Sequence, residues 1–345
     1  MTDVHRSDTA PEQEQAQPGG AALLDVRDLR VEFGTGKGSV HAVNGLSYTL
    51  GRGETLAILG ESGSGKSVSA QAVMGTLPSP PARVTGGEVH FGGVDLLGLR
   101  ERDRRQYRGR RLAMIYQDAL SALNPVFTVG NQIAEMFRIH RGLSRRQAMA
   151  RAVDLMELVH IPDSRTRVHD YPHQFSGGMR QRVMIAMALA LEPDVLIADE
   201  PTTALDVTVQ AQIMRLLRDL QEQMHMGLIL ITHDLGVVAD VADRIVVMYA
   251  GAAVEQGEVY GLYGRPAHPY TRGLLGSVPR PDQGEETLRV IPGSPPDMAD
   301  IPAGCPFHPR CRWRRPVCED DPPDLREVED GRWSACHFAE EVLEA

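Results

Sequence analysis

Lysine is almost missing from this chain of 345 residues. Of its 36 basic side chains only Lys37 and Lys66 are lysines, and the rest are arginines. Aromatic residues are scarce as well, at 5%. No stretch approaches the roughly eighteen consecutive apolar residues that a membrane-spanning helix requires, so no segment is expected to cross a bilayer. An excess of positive charge is also absent. The net charge is −10, which argues against a surface built to wrap nucleic acid. The chain opens without an apolar leader. Residues 1–20 read MTDVHRSDTAPEQEQAQPGG, a polar segment expected to be disordered, with the chain itself expected in the cytoplasm. The one strongly basic run, RERDRRQYRGRR at 100–111, reads as a solvated surface segment. The remaining composition, 42% hydrophobic and 24% charged, is that of an ordinary globular protein long enough for one large domain with additions.

The hydrophobic pattern alternates between two periods. LLDVRDLRVEF alternates as an edge strand would, and TLAILG is a short buried-strand run ending in glycine. SVSAQAVMGTL then reads as a helix ended by PSPPA. Strand-like pieces follow at GGEVHFGG and LAMIYQ, and again at VLIAD, LILIT and RIVVMY. Between them, residues 118–191 are mainly helical in pattern, broken at Asn124-Pro125 and Ile161-Pro162. Strands interleaved with helices predict a mostly parallel α/β core. From about residue 257 the chain turns Pro-rich and acidic, and all four cysteines lie there. No internal repeat is visible.

The lysine that is kept at position 66 falls in GESGSGKS, residues 60–67. This fits G-x-x-x-x-G-K-[ST] in its required context, after a strand and opening a helix. Such a loop offers backbone N–H groups and a helix N-terminus to phosphate oxygens. Lys66 adds a point charge, and the Ser67 hydroxyl can ligate Mg²⁺. VLIADE at 195–200 is an apolar strand ending in two carboxylates. Adjacent strand residues point to opposite sides, so the two acids can have different tasks: Asp199 to hold Mg²⁺ directly or through water, Glu200 to act as general base on an attacking water. His233 in LILITHD and Gln117 after LAMIY follow strands too, but each taken alone is unremarkable. A second glycine-rich turn, FSGGMRQR at 175–182, opens the helical run VMIAMALAL. Its amides and positive dipole end also seek an anion, although a phosphate loop is already present.

Together these residues resemble the ATP-binding-cassette ATPases, over roughly residues 23–257. The order agrees: phosphate loop at Gly60, Glu61, Ser62, Gly63, Ser64, Gly65, Lys66 and Ser67; Q-loop Gln117; signature Ser176, Gly177, Gly178, Met179, Arg180 and Gln181; Walker B ending in Asp199 and Glu200; D-loop Ala204, Leu205 and Asp206; switch His233. The resemblance implies a P-loop fold of the cassette type with an antiparallel β subdomain and a helical subdomain at about 118–191. It implies that residues 21–258 form the nucleotide-binding domain. Glu200, His233 and Gln117 would be catalytic, with Ser67 and Gln117 at Mg²⁺ and Phe33 stacked on adenine. It also accounts for the second turn. In this family two ATPase domains dimerise head to tail, and each signature closes on the ATP held by the partner's phosphate loop.

QDALSALNPVFTVGNQI, AHPYTRGLLGSVP and GSPPDMADIPAGCPFHPRC narrow the likeness to the ATPase subunits of dipeptide and oligopeptide importers and their nickel-importing relatives, of the first of two ATPase types. This implies a second, non-identical ATPase, two permease subunits docking around 117–132, an external binding protein, no nucleic acid, and a peripheral place on the cytoplasmic face of the membrane. The substrate would be a di- or oligopeptide or a nickel chelate. A cassette acting on nucleic acid or ribosomes, or a vestigial ATPase, fits less well with one acidic cassette whose motifs are intact. Residues 259–345 form a Cys-containing C-terminal extension. Cys305, Cys311, Cys318 and Cys336 follow C-x5-C-x6-C-x17-C, a set compatible with zinc, an iron–sulfur cluster or no metal. His308 and His337 could replace a thiolate at zinc. Some members of the importer group carry a [4Fe–4S] cluster in a similar segment.

Overall fold

A computed structural model describes residues 22–36, 38–118, 122–277 and 291–345. The polar tail at 1–20 and Lys37 lie outside them. The first sheet is antiparallel, with strands β1 (Leu24–Thr35), β2 (Gly38–Leu50), β4 (Ala82–Phe91) and β5 (Val94–Asp95) in the order β2-β1-β4-β5. β1 therefore sits inside the sheet and not at its edge. Alternation reports one solvated face; it carries no information about how many neighbours a strand has. The second sheet holds β3 (Thr55–Leu59), β6 (Leu112–Ile115), β7 (Val195–Asp199), β8 (Gly227–Thr232), β9 (Arg244–Tyr249), β10 (Ala252–Glu258), β11 (Arg326–Glu329) and β12 (Arg332–Ser334). Its order is β11-β12-β10-β9-β3-β8-β7-β6, parallel from β9 to β6.

The parallel strands are near-continuous apolar runs because both of their faces are covered. Ala57 and Leu59 of β3, Leu196 and Ala198 of β7, and Leu228 and Leu230 of β8 enter one core. That core is shared with helices Val129–Arg141, Arg145–Leu158, Gly177–Leu189 and Val207–Met224. The alternate residues Leu56, Ile58, Val195, Ile197, Ile229 and Ile231 enter a second core, closed by the antiparallel sheet and helix Lys66–Met74. That helix is shorter than its sequence pattern: Gly75 takes φ 66° and receives its C-terminal turn, which stops the helix before the prolines.

The tail joins the same sheet. β12 pairs with β10, placing Glu255 opposite Ser334. Glu255 is fully buried and accepts the amides of Ala267 (2.6 Å) and His268 (3.0 Å). Buried Arg332 lies 3.4 Å away. The basic run at 100–111 is largely neutralised locally: Glu101 pairs with Arg105 and Arg108, and Arg111 with Asp194.

Candidate functional site

Register decides what meets at the carboxyl end of the parallel sheet. Leu59 pairs with Thr232, Asp199 with Ile231, and Ile115 with Ala198. The residues that follow β3, β8, β7 and β6 are thus the phosphate loop, His233, Glu200 and Gln117, side by side along one edge. Crevices at the carboxyl ends of such strands are where α/β sheets place ligands.

The phosphate loop leaves β3 at Gly60, which has φ 153°. A Cβ there would run into the Met248 carbonyl, and one on Gly65, at φ 97°, into that of Ala42. Only glycine lets the loop turn so close to β9 and β2. Ser62 and Gly63 are exposed and Ser64 is buried. Lys66 is buried and folds back into the loop, its Nζ donating to the carbonyls of Gly60 (2.7 Å) and Glu61 (2.9 Å). Burial lowers its pKa, opposed by the charges of Glu200, Asp199 and Glu61. The Ser67 hydroxyl donates to Asp199 Oδ1 at 2.8 Å. Burial raises the pKa of Asp199 against that bond. A serine hydroxyl and a carboxylate in contact are hard oxygen donors that suit Mg²⁺.

Glu200 lies past the end of β7 with φ 46°. At this left-handed turn the two acids have different partners, Asp199 the Ser67 hydroxyl and Glu200 the Gln117 amide. The turn brings Glu200 Oε2 to 2.9 Å from Gln117 Nε2 and to 2.9 Å from the Thr203 hydroxyl, both donating to it. His233 Nδ1 stands 3.5 Å from Glu200 Oε1. Gln117 and His233, from the ends of β6 and β8, and Thr203, from the turn after β7, thus surround one carboxylate. Thr203 was missed by sequence reasoning; its only signal was its place between Glu200 and Ala204. Phe33 is half-buried against the core under the antiparallel sheet.

The signature residues lie in the helical layer. Ser176 caps helix Gly177–Leu189, its Oγ accepting the Met179 amide. Arg180 Nε donates to the Pro172 carbonyl (2.8 Å), and Met179 Sδ accepts from Arg167 (3.3 Å). Gln181 is buried. A Cβ on Gly178 would come within 2.6 Å of Val209, and one on Gly177 within 3.3 Å of Leu205, so these glycines seat the signature against the D-loop. Asp206 caps helix Val207–Met224 by accepting the Val209 amide, and Ala204 takes φ 63°.

Cys305, Cys311, Cys318 and Cys336 all line one small cavity, with His308 and His337. All four are free thiols. Burial raises Cys305, pushes Cys311 to about 11 and Cys336 to about 12. Among the described residues, however, no group of three or more His, Cys, Asp or Glu side chains is arranged to hold a metal ion. Nor does any helix among them have the length and apolarity to cross a membrane.

Residues 43–203 match the family described as ABC transporter, and residues 254–318 the family described as oligopeptide/dipeptide transporter, C-terminal region. The oligopeptide transport ATP-binding protein OppD of Salmonella typhimurium is 49% identical over 329 residues, 95% of this chain and 97% of that one. The dipeptide transport ATP-binding protein DppD of Bacillus subtilis is 52% identical over 297 residues, 86% and 89% of the two chains. Among solved structures, the dimeric post-hydrolysis state of the ATP-binding cassette MJ0796 bound to ADP and Pi aligns with a TM-score of 0.62 at 26% identity. That alignment covers 69% of this chain and 99% of the other.

Proposed function

The chain belongs to the ABC transporter ATPases that carry the oligopeptide/dipeptide transporter C-terminal region, and from that premise we propose that it hydrolyses ATP to drive uptake of di- and oligopeptides through a membrane importer. The observation that carries the reading is the convergence of Gln117, Thr203 and His233 on the Glu200 carboxylate, at the mouth of a phosphate loop holding Lys66.

The mechanism follows from the bonds. When the triphosphate enters, Lys66 Nζ exchanges the Gly60 and Glu61 carbonyls for phosphate oxygens, and the loop amides of residues 60–67 cradle them. Ser67, Asp199 and Gln117 would hold Mg²⁺, which would supply charge neutralisation at the phosphates. Glu200 takes a proton from the attacking water. Gln117 and Thr203 fix its carboxylate, and His233 reaches the γ-phosphate. Phe33 stacks on the adenine. Ser176, Gly177, Gly178, Met179, Arg180 and Gln181 close on the ATP of a second, non-identical ATPase, with Ala204, Leu205 and Asp206 linking the two sites. In this reading residues 21–258 are the ATPase domain and 259–345 its extension. Two permeases dock around 117–132 on the cytoplasmic face, and an external binding protein delivers the peptide. Four soft sulfur donors lining one cavity have the chemistry for a [4Fe–4S] cluster or zinc, but among the described residues no three of them stand arranged to hold a metal ion, so a cluster would require them to draw together.

Reconstitution tests this. Proteoliposomes holding the chain with its permeases and second ATPase should take up labelled peptide only with ATP and binding protein present, and Lys66→Ala should abolish uptake. ATP-independent uptake, or none by the wild-type assembly with any di- or oligopeptide, would refute the reading.

A further inference from the structure

Two segments of the tail meet at one residue of the phosphate loop. Arg310 Nη1 donates to Glu61 Oε2 at 2.6 Å and Nη2 to Oε1 at 3.0 Å, a two-pronged ion pair. The arginine side chain is only 5% exposed. Its Nε donates to the Pro292 carbonyl and Nη1 also reaches the Tyr249 hydroxyl at 3.4 Å. From a different part of the tail, the Tyr270 hydroxyl accepts the Glu61 amide at 2.9 Å. The Tyr270 ring is buried, with its centroid 4.6 Å from that of Tyr249 and 5.3 Å from that of Phe307. Glu61 is therefore held at its amide and its carboxylate by the tail, while its carbonyl accepts from Lys66.

We propose that Tyr270 and Arg310 are positioning residues for ATP: the tail sets the shape of the phosphate loop by clamping Glu61. A planar, two-pronged guanidinium fixes orientation as well as charge, and Glu61 lies next to Gly60, where the loop leaves β3. The clamp sets the Gly60 and Glu61 carbonyls on which the Lys66 ammonium rests until phosphate oxygens replace them. It also gives the HPYT and PFHPRC segments a task at the nucleotide, one that conducts no chemistry itself. Arg310 stands directly before Cys311, so the loop that carries two of the cysteines carries the clamp.

The inference rests on the ATPase reading, and the test separates the two. ATP affinity of the full chain is read by titration with a fluorescent ATP analogue, which needs no turnover; hydrolysis by the assembled transporter is measured separately. Arg310→Ala and Glu61→Gln should each weaken affinity about tenfold, and the double variant should be no weaker than either single one. Arg310→Lys should fall between. Tyr270→Phe keeps the buried ring and the fold, loses only the hydroxyl, and should weaken affinity in the same direction. In the assembled transporter the Arg310→Ala and Tyr270→Phe variants should raise KM for ATP with kcat changed less than about twofold. Melting temperatures lowered with affinity unchanged in all four single variants, or additive losses in the double variant, would overturn the clamp. A wild type that binds the analogue but hydrolyses nothing would instead sink the ATPase reading.

Discussion

Replacing Glu200 with glutamine removes one charge and little else. The amide oxygen of the substituted side chain can still accept from Gln117 and Thr203, which now bond to one carboxylate oxygen at 2.9 Å each. Its NH₂ then faces His233, now 3.5 Å from the other oxygen. Position 200 has φ 46°, a left-handed conformation that costs glutamate and glutamine alike. Shape and fold are therefore kept while the general base is lost. A positioned base contributes about 10²–10⁴-fold, or about 3–5 kcal/mol of barrier. ATP binding should persist. Glu200 is the foremost of the charges that offset the burial of Lys66, so its loss leaves Lys66 more dependent on phosphate oxygens. The assay is phosphate release by the assembled transporter alongside nucleotide titration. A kcat within tenfold of wild type would refute the assignment of Glu200 as base. A kcat loss matched by an equal loss of ATP affinity would point to a binding role.

Other outcomes follow from the same structure. Glu255→Ala leaves two buried amides without their acceptor and takes one of two carboxylates from the buried Arg332, which keeps Glu329 and the Gly261 carbonyl; the cost is about 2–6 kcal/mol, read in a thermal melt as a fall of about 3–8 °C. His268 is buried and its pKa is lowered to about 3, so the unfolded chain binds the extra proton first. Stability should fall by about 1.4 kcal/mol for each pH unit below about 6.5, until pH approaches the folded value. His268→Gln should flatten that part of a melting-temperature profile. A cluster at the four cysteines would give iron and sulfide in near-equal amounts with a broad visible band after anaerobic purification; zinc alone, or no metal, would refute it.

By itself, the sequence determined whatever local spacing controls. The phosphate loop was legible because glycine, lysine and serine at fixed intervals are demanded by a turn that brushes backbone on two sides. The strands VLIAD, LILIT and RIVVMY were legible because burial on both faces removes polar residues. Family motifs then supplied Gln117, His233 and the signature, none of which stands out alone. What these residues touch is set by pairings between distant parts of the chain. That Gln117 and His233 meet Glu200 depends on the order β3-β8-β7-β6, which arises from pairings between distant strands. Thr203 joins them through a turn whose sign no pattern encodes. The clamp on Glu61 comes from a residue 249 positions away, carried there because β12 pairs with β10 and an aromatic cluster fixes the tail. Periodicity reports which face of an element is buried; the partner across that face is fixed by packing alone.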